Sequence, residues 1–402
     1  MAKSPYQISL INKRLGTLKI SDESGFFAEY TTFRQDNYPD DGSHRPAKVL
    51  FNKSIEQDCL RRDFTINAIY ADVSTGEVFD FVGGLDDLKN KVIKTPRSAE
   101  QVFREDGLRL LRLVRFSAEL GFQIAPEVLL EAKSQCFRLK DISPDRIRDE
   151  FLKIIKADCR YPELANVDAH FNAIKLLDEL GLLEIIIPEL SQAKGLAQDK
   201  RYHIHDVFWH ILYTYKACPP ELRLAGLMHD IGKPLSAKLY GNMYEHARLG
   251  AEIAQKRLGS QGLRLPNRDV DKIKRLILAH MYDMDGKTSI KKLRGFIAKN
   301  RDILEDIINL KLADAYGSCG KFVTPVAVER LREQYGLMQK EKVPFSVKKL
   351  LVGGADLIAL EIPVQKRADT LNRLLELAIC DKSYRSRAAQ LKFLEEVKNG
   401  NR

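Results

Sequence analysis

The residues of this 402-residue sequence best suited to chemistry fall in two stretches. One holds Tyr202-His-Ile-His-Asp-Val-Phe-Trp-His210, Leu227-Met-His-Asp-Ile-Gly-Lys-Pro234, Tyr244-Glu-His246, His280 and Leu312-Ala-Asp-Ala315. The adjacent His229 and Asp230, with a separate upstream His and a downstream Asp, supply the imidazole and carboxylate groups that suit a divalent transition metal. Of the eight histidines in the chain, His203, His205, His210, His229, His246 and His280 all lie here, a concentration that favours metal over solvation. The other reading is a helix bundle whose histidines pack and cap.

The second stretch is arginine-rich. Leu60-Arg-Arg-Asp-Phe-Thr-Ile-Asn-Ala-Ile69 sets Arg61, Arg62, Asp63, Thr65 and Asn67 among apolar neighbours, where polar groups need partners. A guanidinium there fits triphosphate oxygens bidentately and the Asp fits a ribose hydroxyl, or the two form a surface ion pair. In Phe103-Arg-Glu-Asp-Gly-Leu-Arg-Leu-Leu-Arg-Leu-Val-Arg-Phe116, Asp106, Arg109, Arg112 and Arg115 step by three, which predicts one helical face. Cytosine and adenine each present an amino donor beside a ring-nitrogen acceptor, and uracil and guanine present the reverse. An acceptor Asp106 beside a donor Arg109 would therefore take C and A, with Arg112 and Arg115 holding phosphates. The alternative is a solvated, salt-bridged helix face.

These groups need elements to position them. Gly16–Ile20, Phe27–Phe33 and Glu77–Phe81 are short β-rich runs bounded by Gly, Asp and Ser, so a small sheet region opens the chain. From about Ala99 the apolar period becomes helical, through Val102, Leu108, Leu111 and Val114 to Leu176, Leu177, Leu180, Leu182 and Leu183. The fold class expected is mainly α with a small N-terminal α/β part. Pro144 after Ser143 predicts a helix start, and Cys218-Pro-Pro220 a stop. Gly259–Asn267 and Glu341–Pro344 read as joints.

Composition narrows the setting. No apolar run reaches the roughly 20 residues of a membrane span, and Met-Ala-Lys-Ser-Pro leads into no secretory h-region, so a cytoplasmic protein with no membrane partner is expected. The six cysteines form no CxxC pair and read as reduced thiols. A formal charge of +10 favours a polyanionic partner, although excess Lys is also a solubility device.

Taken together, Arg61–Ala68, Asp80-Phe-Val-Gly-Gly-Leu-Asp-Asp-Leu88, Arg104–Arg109 with Arg112, Arg115 and Phe116, and Ser143-Pro-Asp-Arg-Ile-Arg-Asp-Glu150 resemble four consecutive motifs of class II tRNA nucleotidyltransferases, the CCA-adding and poly(A) polymerase family. The resemblance implies that Arg62 and Asp63 contact the sugar and phosphates of ATP or CTP. It also implies that Asp80–Gly84 is a hinge and that Asp106 with Arg109 is the template for the base. Members open with a Gly-Gly turn and an Asp-x-Asp pair that holds two Mg2+ ions for attack by the tRNA 3′ hydroxyl. The opening of this sequence has neither, and its Leu15–Ile20 and Glu29–Arg34 are similar to the strands that follow. Glu29 would be the third acidic position, so little transfer by this chain is expected, with a separate chain carrying the missing segment as one candidate partner.

The histidine-rich stretch is similar to the HD phosphohydrolase superfamily. That resemblance implies core ligands His210, His229, Asp230 and Asp314 for Ni2+, Mn2+ or Co2+, with His210 preferred to His205. His246 and His280 would complete a second site or bind substrate phosphate, and Lys233 would neutralise a phosphate. Leu351–Pro363 and the amphipathic helix after it resemble the family's tRNA-gripping tail, where Lys366, Arg367, Lys382, Arg385 and Arg387 supply phosphate contacts or a solvated face. The domains implied are an incomplete polymerase-β-like head (1–95), a helical neck and body (96–198), an HD domain (199–340) and a helical tail (341–402). The other functions open to such a chain are phosphoester hydrolysis through the HD site alone, or a non-catalytic RNA-binding subunit.

Overall fold

The computed structural model describes residues 6–12, 16–37, 48–51 and 54–400, so Leu15 lies outside the described residues. Alternating residues form an antiparallel sheet of β1 (Gln7–Asn12), β2 (Thr17–Ser21) and β3 (Phe27–Thr31), in that order. Ile8 faces Ile20, Ile20 faces Ala28 and Leu18 faces Tyr30, which gathers these side chains on one face, while Ser9, Lys19 and Glu29 share the other. The apolar face is open, with Ile8 66% and Tyr30 54% exposed.

Two antiparallel pairs follow, β4 (Arg34–Asn37) with β5 (Lys48–Phe51) and β6 (Ile69–Ala71) with β7 (Val78–Asp80). Between them lies α1 (Ile55–Leu60), capped by Ser54, whose side chain accepts the Gln57 amide. The turn into α2 (Gly84–Asn90) needs both of its glycines, for different reasons. Gly83 has φ +76, and a Cβ on Gly84 would lie 2.3 Å from the Thr65 carbonyl oxygen. Asp80 closes this turn by accepting the amides of Val82, Gly84 and Leu85.

Helices then take over as the change of period predicts. They are α3 (Ala99–Glu105), α4 (Leu108–Leu120), α5 (Pro126–Ser134), α6 (Pro144–Ile154), α7 (Ala169–Glu179), α8 (Leu182–Ile186) and α9 (Pro188–Ser191). A two-residue parallel pair, β8 (Val92–Ile93) with β9 (Gln123–Ile124), joins the stretches around them. Ser143 and Pro144 occupy the N-cap and first-turn positions of α6. The core beside α4 is Leu110, Leu111, Leu113 and Val114, all fully buried.

The chain divides into two compact units, Met1–Gln192 with Lys256–Pro266, and Ala193–Gln255 with Asn267–Arg402. Four segments were expected from the sequence; compactness groups them into two. The second unit contains α10 (Val207–Ala217), α11 (Arg223–Met228), α12 (Lys233–Tyr240), α13 (His246–Leu258, whose end enters the first unit), α14 (Asn267–Ala279) and α15 (Ile290–Lys299). It continues with α16 (Leu304–Cys319), α17 (Val326–Lys340), α18 (Gly354–Ala359), α19 (Val364–Cys380) and α20 (Arg387–Lys398). α10 ends before Pro219, as the Pro-Pro step predicts. No described helix is long and apolar enough to cross a membrane.

In the C-terminal helices the expected phosphate-contact arginines are engaged in the fold. Arg367 donates to the Ile362 carbonyl, Arg385 pairs with Glu341 and Arg387 pairs with Asp356. Beneath them Leu357, Leu374, Ala378, Phe393 and Leu394 form a buried cluster.

Candidate metal centre and nucleotide pocket

In the first unit, Arg61, Arg62, Asp63, Asp106, Arg112 and Arg146 line a pocket of about 500 Å3 together with Arg34, Asp36, Asn67, Arg109 and Phe116. Asp58, fully buried on α1, organises its cations. It accepts the Arg34 amide (3.1 Å), Arg61 Nε (2.8 Å), Arg62 (3.2 Å) and the Tyr70 hydroxyl. Burial alone would raise the Asp58 carboxyl, but the Tyr70 hydroxyl, Arg61 and the Arg34 amide outweigh it and hold it below the usual carboxylate range. Asp63 is buried too, accepting its neighbour's amide at Phe64, Asn67 Nδ2 (3.2 Å) and Arg112 Nε (2.6 Å). Its burial is likewise outweighed by Arg112, so its carboxyl is also lowered.

The structure corrects the expected ladder of Asp106, Arg109, Arg112 and Arg115 on one helical face. α3 ends at Glu105, Asp106 is extended (φ −151, ψ 103) and α4 starts at Leu108. Asp106 Oδ1 accepts the Leu108 amide (3.1 Å), a local bond that competes with helix, and a Cβ on Gly107 would lie 2.6 Å from the Arg138 carbonyl oxygen. Asp106 Oδ2 instead pairs with Arg146 of α6 at 2.6 Å. Arg109 turns inward and donates to the carbonyls of Val102 (2.9 Å) and Arg61 (2.8 Å) and to Glu105 (3.0 Å). Arg115 lies over Phe116 between Glu150 (2.7 Å) and Glu119 (3.1 Å), away from the pocket lining. Glu29 is not among the pocket-lining residues. It is exposed on β3 opposite Lys19, and the carboxylates that line the pocket are Asp36, Asp63 and Asp106.

In the second unit, two helix junctions and two helix faces converge. α11 stops at Met228, which leaves His229 and Asp230 in the bend before α12, while His210 comes from α10, His246 from α13, His280 from just past α14 and Asp314 from α16. Close helix approach permits this. A Cβ on Gly317 would lie 2.2 Å from Thr214 Oγ1 and 2.8 Å from the His210 carbonyl oxygen, and one on Gly232 2.1 Å from the His246 carbonyl oxygen. All six side chains are buried. They form two triads, His210/His229/Asp314 and Asp230/His246/His280, the two clusters of three or more ligand-type residues among the described residues.

Asp230 faces both. Its Oδ2 lies 3.0 Å from His210 Nε2 and 3.3 Å from His229 Nε2, and its Oδ1 lies 3.3 Å from His246 Nε2 and 3.5 Å from His280 Nε2. Asp230 thus meets His210 and His229 of the expected core quartet through Oδ2 and the second triad through Oδ1. His205 stacks on Tyr213 outside them, whereas His210 stands within the first triad.

The donor chemistry fits cations. Nδ1 of His229, His246 and His280 each meets the carbonyl oxygen three residues back, at 2.8, 2.5 and 2.5 Å, so Nδ1 must carry the proton and donate. Nε2 of these three rings then faces the carboxylates and the neighbouring imidazoles, with His246 and His280 Nε2 3.3 Å apart and His229 Nε2 3.1 Å from that of His210, whose Nδ1 has no partner to fix its tautomer. Two unprotonated Nε2 atoms as close as those of His246 and His280 repel unless a proton or metal lies between them. Asp230 Oδ1 is buried without a hydrogen bond. Burial pushes His229 down, but Asp230 and Asp314 outweigh it and raise it to about 10. A cavity of about 600 Å3 opens onto Asp230, His246, His280 and Asp314, with Lys233 on its wall and Tyr202, Met281, Met284 and Val323 as its apolar side. Lys233 Nζ is 2.5 Å from Asp230 Oδ2 and donates to Gln198 (2.6 Å).

The chain matches three family models: the poly A polymerase head domain over residues 3–94, the probable RNA and SrmB-binding site of polymerase A over 121–165, and the HD domain over 211–318. It is 31% identical to the A-adding tRNA nucleotidyltransferase of Deinococcus radiodurans over 75% of this chain and 69% of that protein. It is also 31% identical to the CC-adding tRNA nucleotidyltransferase of Thermus thermophilus, over 76% and 69%. This chain belongs to the tRNA nucleotidyltransferase family. Its fold is similar to that of the Bacillus stearothermophilus CCA-adding enzyme crystallised with CTP, at a TM-score of 0.62 and 24% identity over 97% of this chain and 84% of that one.

Four residues that shape the two sites of this chain escape sequence reasoning. Asp58, Asp36 and Arg146 join the pocket region through partners distant in sequence, Tyr70 and the Arg34 amide for Asp58, Arg61 for Asp36 and Asp106 for Arg146, although Arg146 stands inside a motif the sequence displays. Lys311 is fully buried at the HD centre, and its one sequence signal is a position three residues before Asp314. Burial pushes its ammonium down to about 8 against the opposing pull of Asp314 and Asp283.

Proposed function

We propose that this polypeptide is the nucleotide- and tRNA-binding part of a CCA-type tRNA 3′-end nucleotidyltransferase, and that the chemistry it completes by itself is metal-dependent hydrolysis of phosphoesters at the HD centre. The observation that carries the second half is the pair of buried triads sharing Asp230 beside a cavity with Lys233 on its wall. His210, His229 and Asp314 would hold one ion and His246 and His280 another, with Asp230 reaching both; Ni2+, Mn2+ or Co2+ suits such nitrogen and oxygen donors. A divalent ion so held supplies Lewis acidity toward water and a phosphoryl oxygen. Lys233 offers a cation to the substrate phosphate, and Tyr202, Met281 and Met284 offer apolar surface to the rest of the substrate. Relatives supply the partners for the first half, since one CCA-adding enzyme is described with CTP and another with tRNA.

In the first unit, CTP or ATP would enter the pocket with the base toward Asp106 and the phosphates toward Arg62 and Arg112. Magnesium-dependent transfer is a different matter. Asp36, Asp63 and Asp106 are each paired with an arginine, Arg34, Arg112 and Arg146 respectively, so this pocket has no spare carboxylate pair among the described residues. A separate chain carrying a Gly-Gly and Asp-x-Asp segment would supply such a pair. Metal content and phosphodiesterase activity of wild type against His229→Ala and Asp230→Ala test the HD half, and equal values in all three would refute it.

A further inference from the structure

Lys311 stands one helical turn before Asp314 on α16, and the two side chains serve different triads. Asp314 Oδ1 reaches His210 (3.2 Å) and His229 (3.7 Å). Lys311 Nζ, 2% exposed as a residue, reaches the other side of the centre. It donates to the carbonyl oxygens of His280 (2.5 Å) and Tyr282 (2.7 Å) and to Met284 Sδ (3.4 Å). An ammonium has three N–H donors, and here each has an acceptor. The two carbonyls lie just past the end of α14, where a helix leaves its last C=O groups unpaired and its dipole favours a cation.

The segment that Lys311 grips carries a triad ligand and a wall of the cavity. His280 presents Nε2 toward Asp230 and His246, and Met281 and Met284 line the opening. The far side of the same loop is tied down separately, by Asp283 accepting the Thr288 amide (2.9 Å) and Arg330 (2.8 Å). Lys311 itself is too far into the fold to meet solvent.

We propose that Lys311 is the positioning residue of the second triad, holding His280 in place so that one helix, α16, sets both halves of the metal centre. The assignment rests on the metal-centre reading above. Without the ammonium, three buried acceptors lose their donor and the His280 backbone loses its anchor. Loss of such an outer partner lowers metal affinity about 10–100-fold, and here the loss should fall on one ion only.

The test is metal binding by the full chain, stripped with chelator and titrated with Co2+, read by bound metal per chain and by the Co2+ absorption spectrum. Lys311→Met should keep the first ion at wild-type affinity and weaken the second, reproducing the spectrum of His280→Ala, with Lys311→Arg intermediate. If both ions bind Lys311→Met as they bind wild type, or if both are lost together, the positioning role is overturned while the metal centre stands. If wild type itself binds no Co2+, the metal-centre reading fails first. Should Lys311→Met not fold, Lys311→Arg decides alone: a selective loss supports the assignment and unchanged second-ion affinity overturns it.

Discussion

Asp106 and Arg146 are joined by a 2.6 Å ion pair that links the break before α4 to the first turn of α6. The carboxylate that would read the base is thus oriented by a cation from another helix, while Arg109 is occupied with backbone carbonyls. Replacing Asp106 with Ala should weaken the preference for CTP and ATP over UTP and GTP by about 1–3 kcal/mol per lost base contact. Equilibrium binding of the four nucleotides measures this directly. An unchanged preference would reduce the pair to a structural bridge.

The stability of the first unit should depend on Asp58. Its carboxylate is fully buried and serves two arginines, so Asp58→Ala leaves cations without their partner and should cost about 3–5 kcal/mol in denaturant unfolding. A cost under about 1 kcal/mol, the scale of an exposed pair, would show that the cluster is solvated.

Acid should act on the same region. Asp58 and Asp63 are both held below their unfolded value, near ~3.9 for Asp. Their contribution is therefore fully present above that pH and is lost as pH falls through the lower folded values. Asp63→Asn should flatten the acid limb of a melting-temperature profile below about pH 4. An acid limb of unchanged slope would contradict the assignment.

Much of this was legible in the sequence because it lies in local patterns. The strands at 17–21 and 27–31, the helix start at Pro144 and the histidines of the HD centre all follow from period, capping or ligand type. The break at Asp106 was not, since an apolar helical period runs straight through it and only the Leu108 amide bond and the approach to Arg138 end the helix. Asp58 and Lys311 were hidden for another reason. A single Asp or Lys reads as surface, and nothing local reveals that several acceptors or donors from distant segments meet it.

Gly317 gives a test of how tightly the HD centre is packed. Gly317→Ala would push a methyl group against Thr214 and the His210 carbonyl, separating α16 from α10 and Asp314 from His210. Overpacking of this kind costs about 1–3 kcal/mol, and thermal unfolding should register it together with weaker metal binding. A variant as stable as wild type would show that the two helices can part freely.

Nucleotidyl transfer by the purified polypeptide should be slight. With tRNA lacking its 3′ end, CTP, ATP and Mg2+, little label should enter the RNA, and a second polypeptide bearing the Gly-Gly and Asp-x-Asp segment should raise incorporation. Robust incorporation by this chain alone would mean that the paired Asp36, Asp63 and Asp106 can still assemble a metal site.

The HD centre bears the sharpest test, because every residue it needs lies within the described chain. The deciding measurement is hydrolysis of bis-p-nitrophenyl phosphate and 2′,3′-cyclic nucleotides with Ni2+, Co2+ or Mn2+, alongside metal content, for wild type, His229→Ala and Asp230→Ala. Wild type should bind metal and hydrolyse at least one of these phosphoesters, and both variants should lose metal and activity together. Equal metal content and equal hydrolysis in all three would contradict the metal-centre assignment and leave a histidine-packed helix bundle in its place.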